Sequence, residues 1–284
     1  MRVVDLTPEY EKLFFVCLED WSSEMCEAGD HKACWYRRMT SRTSTCVRGG
    51  LRVKLALDDD GQLGGMIQYV PIEESFAEGR DAWFIQCLWV HGHREGRGNY
   101  QGRGMGSALL AAAEQDARER GGQAMVAWGV SLPVFVRASW YKKHGYQVCD
   151  KAGLSLLVWK PFGEEAQAPH WVRPYKQPET VPGVVSVTGF INGWCSVQNM
   201  VHERARRAVA ALQEIYGQRI VFRSIDTCDP EIYGEWGIAD ALYLDERSVP
   251  TGPPPSYERL YRIFRRRLRH QLRRGRLAPL ESKE

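Results

Sequence analysis

The sequence of 284 residues predicts an α/β protein with two domains. An apolar strand pattern at residues 83–90 leads through a glycine-spaced loop into a helical pattern. A second apolar, β-branched run at 184–191 also turns directly into a long helical pattern. Between them, residues 163–182 contain four prolines and few aliphatic side chains, which is typical of a semi-rigid linker. The predicted domains are residues 1–162 and 183–284, joined by the linker 163–182.

Composition and charge exclude several classes of protein. No stretch of 18 uninterrupted apolar residues is present, and the N-terminal segment lacks the apolar run of a secretory signal. Eight cysteines occur singly, without Cys-x-x-Cys pairs, so neither a disulfide scaffold nor a zinc site is indicated. We therefore expect a cytoplasmic protein with reduced thiols and no bound metal.

In the first domain, apolar periodicity predicts a helix at residues 10–20. Two alternating strands, 51–57 and 64–70, flank Asp60-Gly61, which is a strong hairpin signal. A further strand is predicted at 151–160, where it closes the domain near Phe162.

The loop and helix start at residues 99–110, NYQGRGMGSALL, predict an anion-binding site. The first amides of a helix lack intrahelical partners, and the helix dipole places about +0.5 charge there. Gly102, Gly104 and Gly106 keep side chains away from such an anion. A Walker loop is disfavoured because no lysine precedes Ser107, and a dinucleotide fold is disfavoured because no acidic residue ends the next strand.

Two motifs in the right order resemble the GNAT acetyltransferase superfamily. Gln101, Gly104 and Gly106 match its acetyl-CoA loop, Gln/Arg-x-x-Gly-x-Gly/Ala. Residues 140–146, WYKKHGY, match its aromatic-Tyr-x-x-x-Gly-aromatic signature. The resemblance implies a GNAT mixed-sheet fold for residues 1–162, with acetyl-CoA as the cosubstrate. It also implies transfer of an acetyl group to the amine of a small-molecule acceptor.

The resemblance further implies which residues hold the cosubstrate. The backbone of strand 83–90, which corresponds to the central strand of the family, would bind the pantetheine arm of acetyl-CoA. The glycine loop would bind its diphosphate. Tyr141 matches the tyrosine that protonates the CoA sulfur in many members, while its other interpretation is a core-facing aromatic residue. The implied binding residues are Leu88, Trp89, Val90, Gln101, Gly102, Arg103, Gly104, Met105, Gly106 and Ser107.

The sequence indicates the general base less clearly than the cosubstrate site. Many members of the family place a glutamate on the central strand, whereas the corresponding strand of this chain, residues 83–90, offers only Gln86 and Cys87 there. His91 is the candidate base, with an ordered water as the alternative. The insertion HGHREGRGN after Val90, with Arg94 and Arg97, is expected to shape the substrate entrance. The acceptor pocket is expected to use side chains of the irregular region up to Gly50, and further candidates are Asp20, Glu24 and Glu73.

The predicted elements of the second domain follow the order β-α-β-α-β-α. In this order the domain resembles a smaller thioredoxin-like α/β domain. The phrases GWCSVQNM, EWGIADALYLD and TGPPPSY further resemble the YoaP-like domain found behind some GNAT modules. The predicted elements are residues 184–191, 196–216, 219–226, 230–236, 241–245 and a helix from Ser256.

Cys195 stands at the start of the first helix of this domain, where the helix dipole favours a thiolate. Gln198 occupies the position of a resolving cysteine, which excludes dithiol exchange by this motif. Two interpretations stay open: a monothiol that captures a soft metal, metalloid or thiol compound, with Cys228 as a partner, or a buried inert cysteine. The first would make the chain a thiol-based binding module regulated by a CoA-binding GNAT domain.

The C-terminal segment is strongly basic. Residues 257–276 contain nine arginines and one glutamate, a net charge of +8, whereas the whole chain carries +3. Apolar residues recur at helical spacing on one face. Nucleic acid, an acidic lipid surface or an acidic partner would use the positive face, and a merely solvated helix is the alternative.

Overall fold

A computed structural model describes residues 1–19, 50–94, 96–132 and 136–277. The chain divides into two compact units, the first ending at Val172 and the second beginning at Arg173. Each unit has its own sheet and its own buried core. In the described part of the chain, no helix combines the length and the apolar character needed to cross a bilayer.

The first unit is built on a seven-stranded mixed sheet in the order β1-β2-β3-β5-β6-β8-β7, in which only the pair β5–β6 is parallel. Its strands are β1 Arg2–Asp5, β2 Arg52–Leu57, β3 Leu63–Pro71, β5 Ala82–Val90, β6 Ala124–Val130, β7 Gln147–Ala152 and β8 Ser155–Pro161. A separate two-stranded sheet pairs β4 Ala77–Glu78 with β9 His170–Trp171. The helices are α1 Pro8–Phe15, α2 Met105–Glu119 and α3 Ala138–Lys143, with a 3-10 turn at Ile72–Glu74.

The local predictions for this unit hold in part. The hairpin at Asp60-Gly61 is confirmed, since the amide of Gly61 donates to the carbonyl of Asp58 at 3.2 Å. The predicted helix 10–20 is wrong in its bounds, because α1 ends at Phe15 and Cys17 then adopts a positive φ of 54°.

The predicted single strand 151–160 is also wrong. The chain forms two antiparallel strands there, β7 and β8, joined at Gly153. Gly153 has a φ of 60°, a conformation that suits glycine and reverses the chain. The turn falls inside the apolar pattern, so that pattern alone did not reveal it.

The second unit has a four-stranded sheet in the order β11-β10-β12-β13, with β10 and β11 parallel and the other pairs antiparallel. Its elements are β10 Val185–Ile191, α4 Ser196–Tyr216, β11 Ile220–Asp226, α5 Pro230–Trp236, β12 Ala241–Leu244, β13 Arg247–Val249 and α6 Tyr257–Arg273. The predicted order of elements is confirmed, with the addition of the three-residue strand β13.

Two helices cover one face of this sheet and one covers the other. Val185 and Val187 of β10 pack in one cluster with residues of α4 and α6, whereas Phe190 packs with Trp236 of α5. Because successive strand residues face opposite sides, β10 supplies both layers and is buried along its whole length.

An ionic cluster around Asp116 ties α2 to the first sheet. Asp116 is buried, and its carboxylate accepts hydrogen bonds from the Tyr69 hydroxyl at 2.7 Å and from Arg120 Nε at 3.0 Å. Arg52 Nε lies 3.4 Å and Lys54 Nζ 3.7 Å from the same carboxylate. Burial by itself would raise the pKa of Asp116, but these hydrogen bonds and positive charges hold it below its usual value. The cluster therefore fixes α2, and with it the glycine loop that precedes α2.

We expect Asp116→Asn to lower the free energy of unfolding by about 2 kcal/mol at pH 7, because Arg120 loses its counter-charge and Arg52 and Lys54 keep only Asp5. The folded pKa is depressed, so this stabilisation is present above the unfolded pKa of about 4 and is lost as the pH falls through the folded value. Urea unfolding at pH 7 and pH 3 measures both effects. The exposed Asp60→Asn is the matched control, and equal stability of the two variants at pH 7 would contradict the role of the cluster.

Candidate active site

An opening in the first sheet lies between β5 and β6. These strands pair only from Ala82 to Phe84, whereas β5 pairs with β3 up to its last residue, Val90. The register explains the divergence, because Ile85 faces Tyr69 and Cys87 faces Gln68, which leaves Gln86 as an extra residue. Such a bulge bends its strand and increases the local twist. The second half of β5 thus turns away from β6.

Trp128 of β6 spans the start of this opening. Its indole Nε1 donates a hydrogen bond to the carbonyl of Gln86 at 2.9 Å. The bulge is therefore held by a side chain from the diverging strand, and the opening begins directly after Gln86.

The peptide groups of β5 alternate between β3 and the opening. The amide of His91 donates to the carbonyl of Gly64 on the β3 side at 3.0 Å. In an antiparallel ladder every second residue bonds to the partner strand, so Trp89 also faces β3 while Leu88 and Val90 face the opening. Of the three backbone positions expected to bind the pantetheine arm, Leu88 and Val90 are the two that are oriented for it.

The start of α2 presents amide groups that the fold does not use. Gly104 caps the helix without a side-chain hydrogen bond, and the first helical bond runs from the Ala108 amide to the Gly104 carbonyl at 3.0 Å. For the amides of Met105, Gly106 and Ser107, no acceptor is found within the described ranges. These groups, together with the helix dipole, form the anion-binding end that the sequence predicts.

The glycine loop keeps the space above these amides open. Gly102 and Gly104 have φ values of 78° and 81°, which other L-residues rarely adopt. A Cβ atom at either position would have no atom within 4 Å, so it would project into open space rather than into the protein. A side chain there would compete with a bound anion.

Gly106 joins three segments that are distant in sequence. A Cβ at this position would lie 3.3 Å from the Trp140 ring and 3.7 Å from the Leu88 side chain. The close approach brings the start of α2 next to β5 and to α3. The predicted diphosphate loop and the strand edge are therefore neighbours.

Ser107 and His144 form a contact that the sequence analysis missed. Ser107 Oγ lies 2.9 Å from His144 Nε2, and His144 Nδ1 lies 2.9 Å from the Trp140 carbonyl. A carbonyl only accepts, so Nδ1 carries a proton and Nε2 of a neutral ring accepts from the Ser107 hydroxyl. The only sequence signal was a histidine inside the WYKKHGY motif, which did not indicate its partner.

Tyr141 lies on α3 and is almost completely buried, at 5% exposure. Its ring contacts those of Trp140 and Tyr146, with centroids 5.1 Å and 5.3 Å away. Burial, and secondarily the nearby Cys87 of β5, raise the pKa of Tyr141 well above the ordinary phenol value. The phenol is thus protonated at neutral pH and close enough to β5 to be influenced electrostatically by it. Its burial agrees with the interpretation as a core aromatic residue, and its role as a proton donor stays a prediction.

His91 closes the loop that follows β5. It is 1% exposed, with Nδ1 only 2.6 Å from the Gly98 carbonyl, while its own carbonyl accepts from the Tyr100 amide at 2.8 Å. Arg97 Nε also donates to the Leu63 carbonyl at 3.3 Å. One nitrogen of His91 is therefore occupied by the loop, and only Nε2 is available for chemistry.

The other predicted residues are less closely connected to this opening. Gln101 Nε2 lies 3.4 Å from the Val90 carbonyl, and Arg103 places its guanidinium 5.2 Å from the Tyr100 ring centroid. Cys195 belongs to the second unit, where it caps the start of α4. Asp20 and Glu24 lie outside the described residues. Within the described ranges, no group of three or more His, Cys, Asp or Glu residues is arranged to hold a metal ion.

Comparison with known proteins agrees with this geometry. The family model described as acetyltransferase (GNAT) family matches residues 15–146. No curated protein matches the chain.

Solved structures similar to this chain include three N-acetyltransferases. PaiA N-acetyltransferase from Thermoplasma acidophilum, in complex with coenzyme A, is 18% identical, with a TM-score of 0.40 over 57% of this chain and 99% of that one. The GNAT family N-acetyltransferase YhbS from Escherichia coli, in complex with CoA, is 15% identical, with a TM-score of 0.41 over 60% and 88%. Ribosomal-protein-alanine N-acetyltransferase from Brucella melitensis is 18% identical, with a TM-score of 0.40 over 57% and 99%.

The family match covers residues 15–146, which lie in the first unit and make up less than half of the chain. It supports an acyltransferase activity of this unit, with acetyl-CoA as the cosubstrate.

We expect Gly104→Glu to weaken acetyl-CoA binding by at least about 100-fold, since a carboxylate would occupy the space beside the open amides. Gly61→Glu is the matched control, because Gly61 has a similar φ of 77°, is equally open and lies in the β2–β3 hairpin. Isothermal titration calorimetry measures the affinity, and thermal unfolding verifies that the variants lose similar stability. Equal affinities for the two variants would show that this loop does not bind the cosubstrate.

Proposed function

We propose that the first unit transfers the acetyl group of acetyl-CoA to the amine of a small-molecule acceptor. One observation carries the proposal: the unpaired edge of β5 lies next to the open amides at the start of α2. A ligand that has a diphosphate at one end and an amide-containing arm at the other is complementary to this arrangement.

The residues present fit such a ligand. The amides of Met105, Gly106 and Ser107 would hold the diphosphate, and the missing side chain of Gly106 permits a close approach to β5. The peptide groups of Leu88 and the amide of Val90 would bind the arm as an added strand does, since the Val90 carbonyl already accepts a hydrogen bond from Gln101 Nε2. When bound, acetyl-CoA supplies an acetyl group activated as a thioester.

Two groups of the chain are suited to the charges that arise during acyl transfer. Leu88 directs its amide into the opening, where it can stabilise negative charge on a carbonyl oxygen. Tyr141 is protonated at neutral pH and would donate a hydrogen bond and then its proton to the leaving sulfur, while the burial that raises its pKa works against the resulting phenolate.

The acceptor amine must lose a proton, and β5 provides no carboxylate beyond its bulge. We propose His91 as the base through Nε2, directly or by way of a water molecule, because Nδ1 is committed to the Gly98 carbonyl. Burial of His91 requires that the acceptor or this water reaches it inside the loop 91–100.

The acceptor itself is proposed only as a class. The region expected to line its pocket, residues 21–50, lies almost entirely outside the described residues. Measuring CoA release against a panel of small amines, amino acids, polyamines and aminoglycosides tests the class. Turnover with protein substrates and none with small amines would overturn it.

We propose further that the second unit is thioredoxin-like. The order β11-β10-β12-β13, with one parallel pair at its first edge and helices on both faces, supports this view. The YoaP-like resemblance stays a prediction, as does the cytoplasmic location. No observation in the described part of the chain favours the thiol-binding alternative at Cys195, so acetyl transfer is the function we propose for the whole protein.

We expect Tyr141→Phe to lower kcat by about 100-fold with little change in acetyl-CoA affinity, because the variant lacks the proton donor but keeps the ring packing. Tyr146→Phe is the matched control in the same aromatic cluster, since its hydroxyl donates to Glu114 at 3.0 Å and faces no substrate in this proposal. Steady-state kinetics with a competent acceptor distinguishes them. An unchanged kcat in the first variant would remove Tyr141 from the mechanism.

For His91→Asn we expect kcat for acetyl transfer to fall by at least about 100-fold with little change in acetyl-CoA affinity, since the variant lacks a base at this position. Steady-state kinetics with a competent acceptor tests this. A role restricted to closing the loop would instead raise KM and leave kcat unchanged.

A further inference from the structure

Helix α6 carries five exposed arginines in one line. They recur at alternating intervals of three and four residues, which places them on one helix face over about 21 Å. We call them the arginine stripe: Arg259, Arg262, Arg266, Arg269 and Arg273.

The opposite face of α6 is fully used by the fold. Leu260, Phe264 and Leu268 are each 0% exposed in the core of the second unit. The helix is therefore anchored in the protein, and its stripe is presented on a rigid element. No large apolar side chain of α6 is exposed.

The positive charge of the stripe is not neutralised by the described residues. The only ion pair of α6 among them joins Arg267, which is outside the stripe, to the buried Asp245 at 2.7 Å. Arg262 donates from Nε to the Glu258 carbonyl at 3.3 Å, and the Glu258 carboxylate interacts electrostatically with Arg262, so this one charge of the stripe is offset in part. Arg269 hydrogen-bonds to Tyr216, a neutral phenol that does not cancel charge either.

A solvated helix does not require this composition. Exposed helices usually mix both signs, because Glu–Lys or Glu–Arg pairs four residues apart add stability. In α6 only Glu258 is acidic, and all five positions of the stripe are arginine. Uncompensated like charges on one face oppose folding, so their presence indicates a ligand that gains from them.

A groove beside the stripe adds to the positive surface. It lies between α6 and the edge strand β13, has a volume of about 450 Å³, and is lined by Arg247, Val249, Ile263 and Arg266 among others. The concentration of charge is also evident at the groove residue His270, whose pKa is lowered by partial desolvation and by the neighbouring arginines.

We propose that the arginine stripe binds the phosphate backbone of a nucleic-acid double helix. Arginine binds phosphate with two parallel hydrogen bonds, and the closely spaced phosphates of a duplex match a rigid row of such groups. The inference is independent of the acetyltransfer chemistry of the first unit.

Other polyanions fit the stripe less well. An amphipathic helix that lies on a membrane inserts its apolar face, but here that face is buried in the core. Single strands are usually held by stacking of bases on aromatic side chains, whereas the aromatic residues of α6 are buried or pack against the core and none belongs to the stripe. A protein partner would need a central apolar anchor, which the stripe lacks.

The proposal has a quantitative consequence. If five arginines each neutralise one phosphate, the logarithm of the affinity falls with the logarithm of the salt concentration with a slope of about −4.5. The dissociation constant then rises about 500-fold between 50 and 200 mM salt. Binding should not depend on the base sequence, because the stripe reads phosphates only.

The test uses fluorescence anisotropy of the full-length protein with a labelled 20-base-pair DNA duplex of mixed sequence. Further arms use an RNA duplex, single-stranded DNA, polyglutamate, and vesicles that contain acidic phospholipid. The triple variant R259E/R266E/R273E is expected to weaken duplex binding by at least about 100-fold at 50 mM salt. The triple glutamine variant R259Q/R266Q/R273Q removes the same three charges without reversing them. Its duplex affinity is the deciding measurement if charge reversal disturbs the fold.

The matched control is R2E/R80E/K151E, which changes three exposed cations of the first unit by the same total charge. Its duplex affinity should fall by less than about 5-fold, since the stripe itself is unchanged. Unchanged acetyl-CoA binding and thermal unfolding verify that each variant is folded. Duplex affinity that is unchanged in both stripe variants, absent in the wild type, or weaker than that for vesicles, polyglutamate or single strands would overturn the proposal.

Discussion

The extra residue in β5 is the constraint on which the candidate active site depends. Because Gln86 has no partner on β3, the strand bends there, and pairing with β6 stops at Phe84. The indole of Trp128 holds the Gln86 carbonyl and keeps the two strands at this distance. Without the bulge, β5 and β6 would continue as an ordinary parallel pair, and no backbone groups would face an opening.

A second requirement is that α2 begins beside this opening. The buried Asp116, near the other end of α2, binds Tyr69 of β3 and the cations on β2, so the helix has a fixed position on the sheet. Gly106 then allows the first turn to lie close to Leu88 and Trp140. Stability and function are thus connected, since the group that anchors the helix also positions its unpartnered amides.

Buried carboxylates of both units are paired with positive side chains, whereas the exposed arginines of α6 are largely without acidic neighbours. In the second unit Asp245 is buried, and it accepts hydrogen bonds from the Ser186 amide and from Arg267 Nε. Asp116 and Asp245 are therefore both paired with cations and donors, as the cost of desolvation requires. The exposed arginines of α6 have little such compensation, and this contrast within one helix separates the structural Arg267 from the stripe proposed as a binding surface.

The sequence by itself determined those features that depend on neighbouring residues. The glycine loop, the hairpin at Asp60-Gly61 and the bounds of α4 follow from local conformational preference and from periodicity. Only the tertiary structure decided the bulge at Gln86, the contact between Ser107 and His144, and the division of residues 147–161 into two strands. The physical reason is that register, edge exposure and side-chain hydrogen bonds arise between segments that are remote in sequence, where local preference has no influence. Tyr141 illustrates both kinds of information. The WYKKHGY motif predicted it as a functional residue, whereas its burial near Cys87 became visible only in the fold.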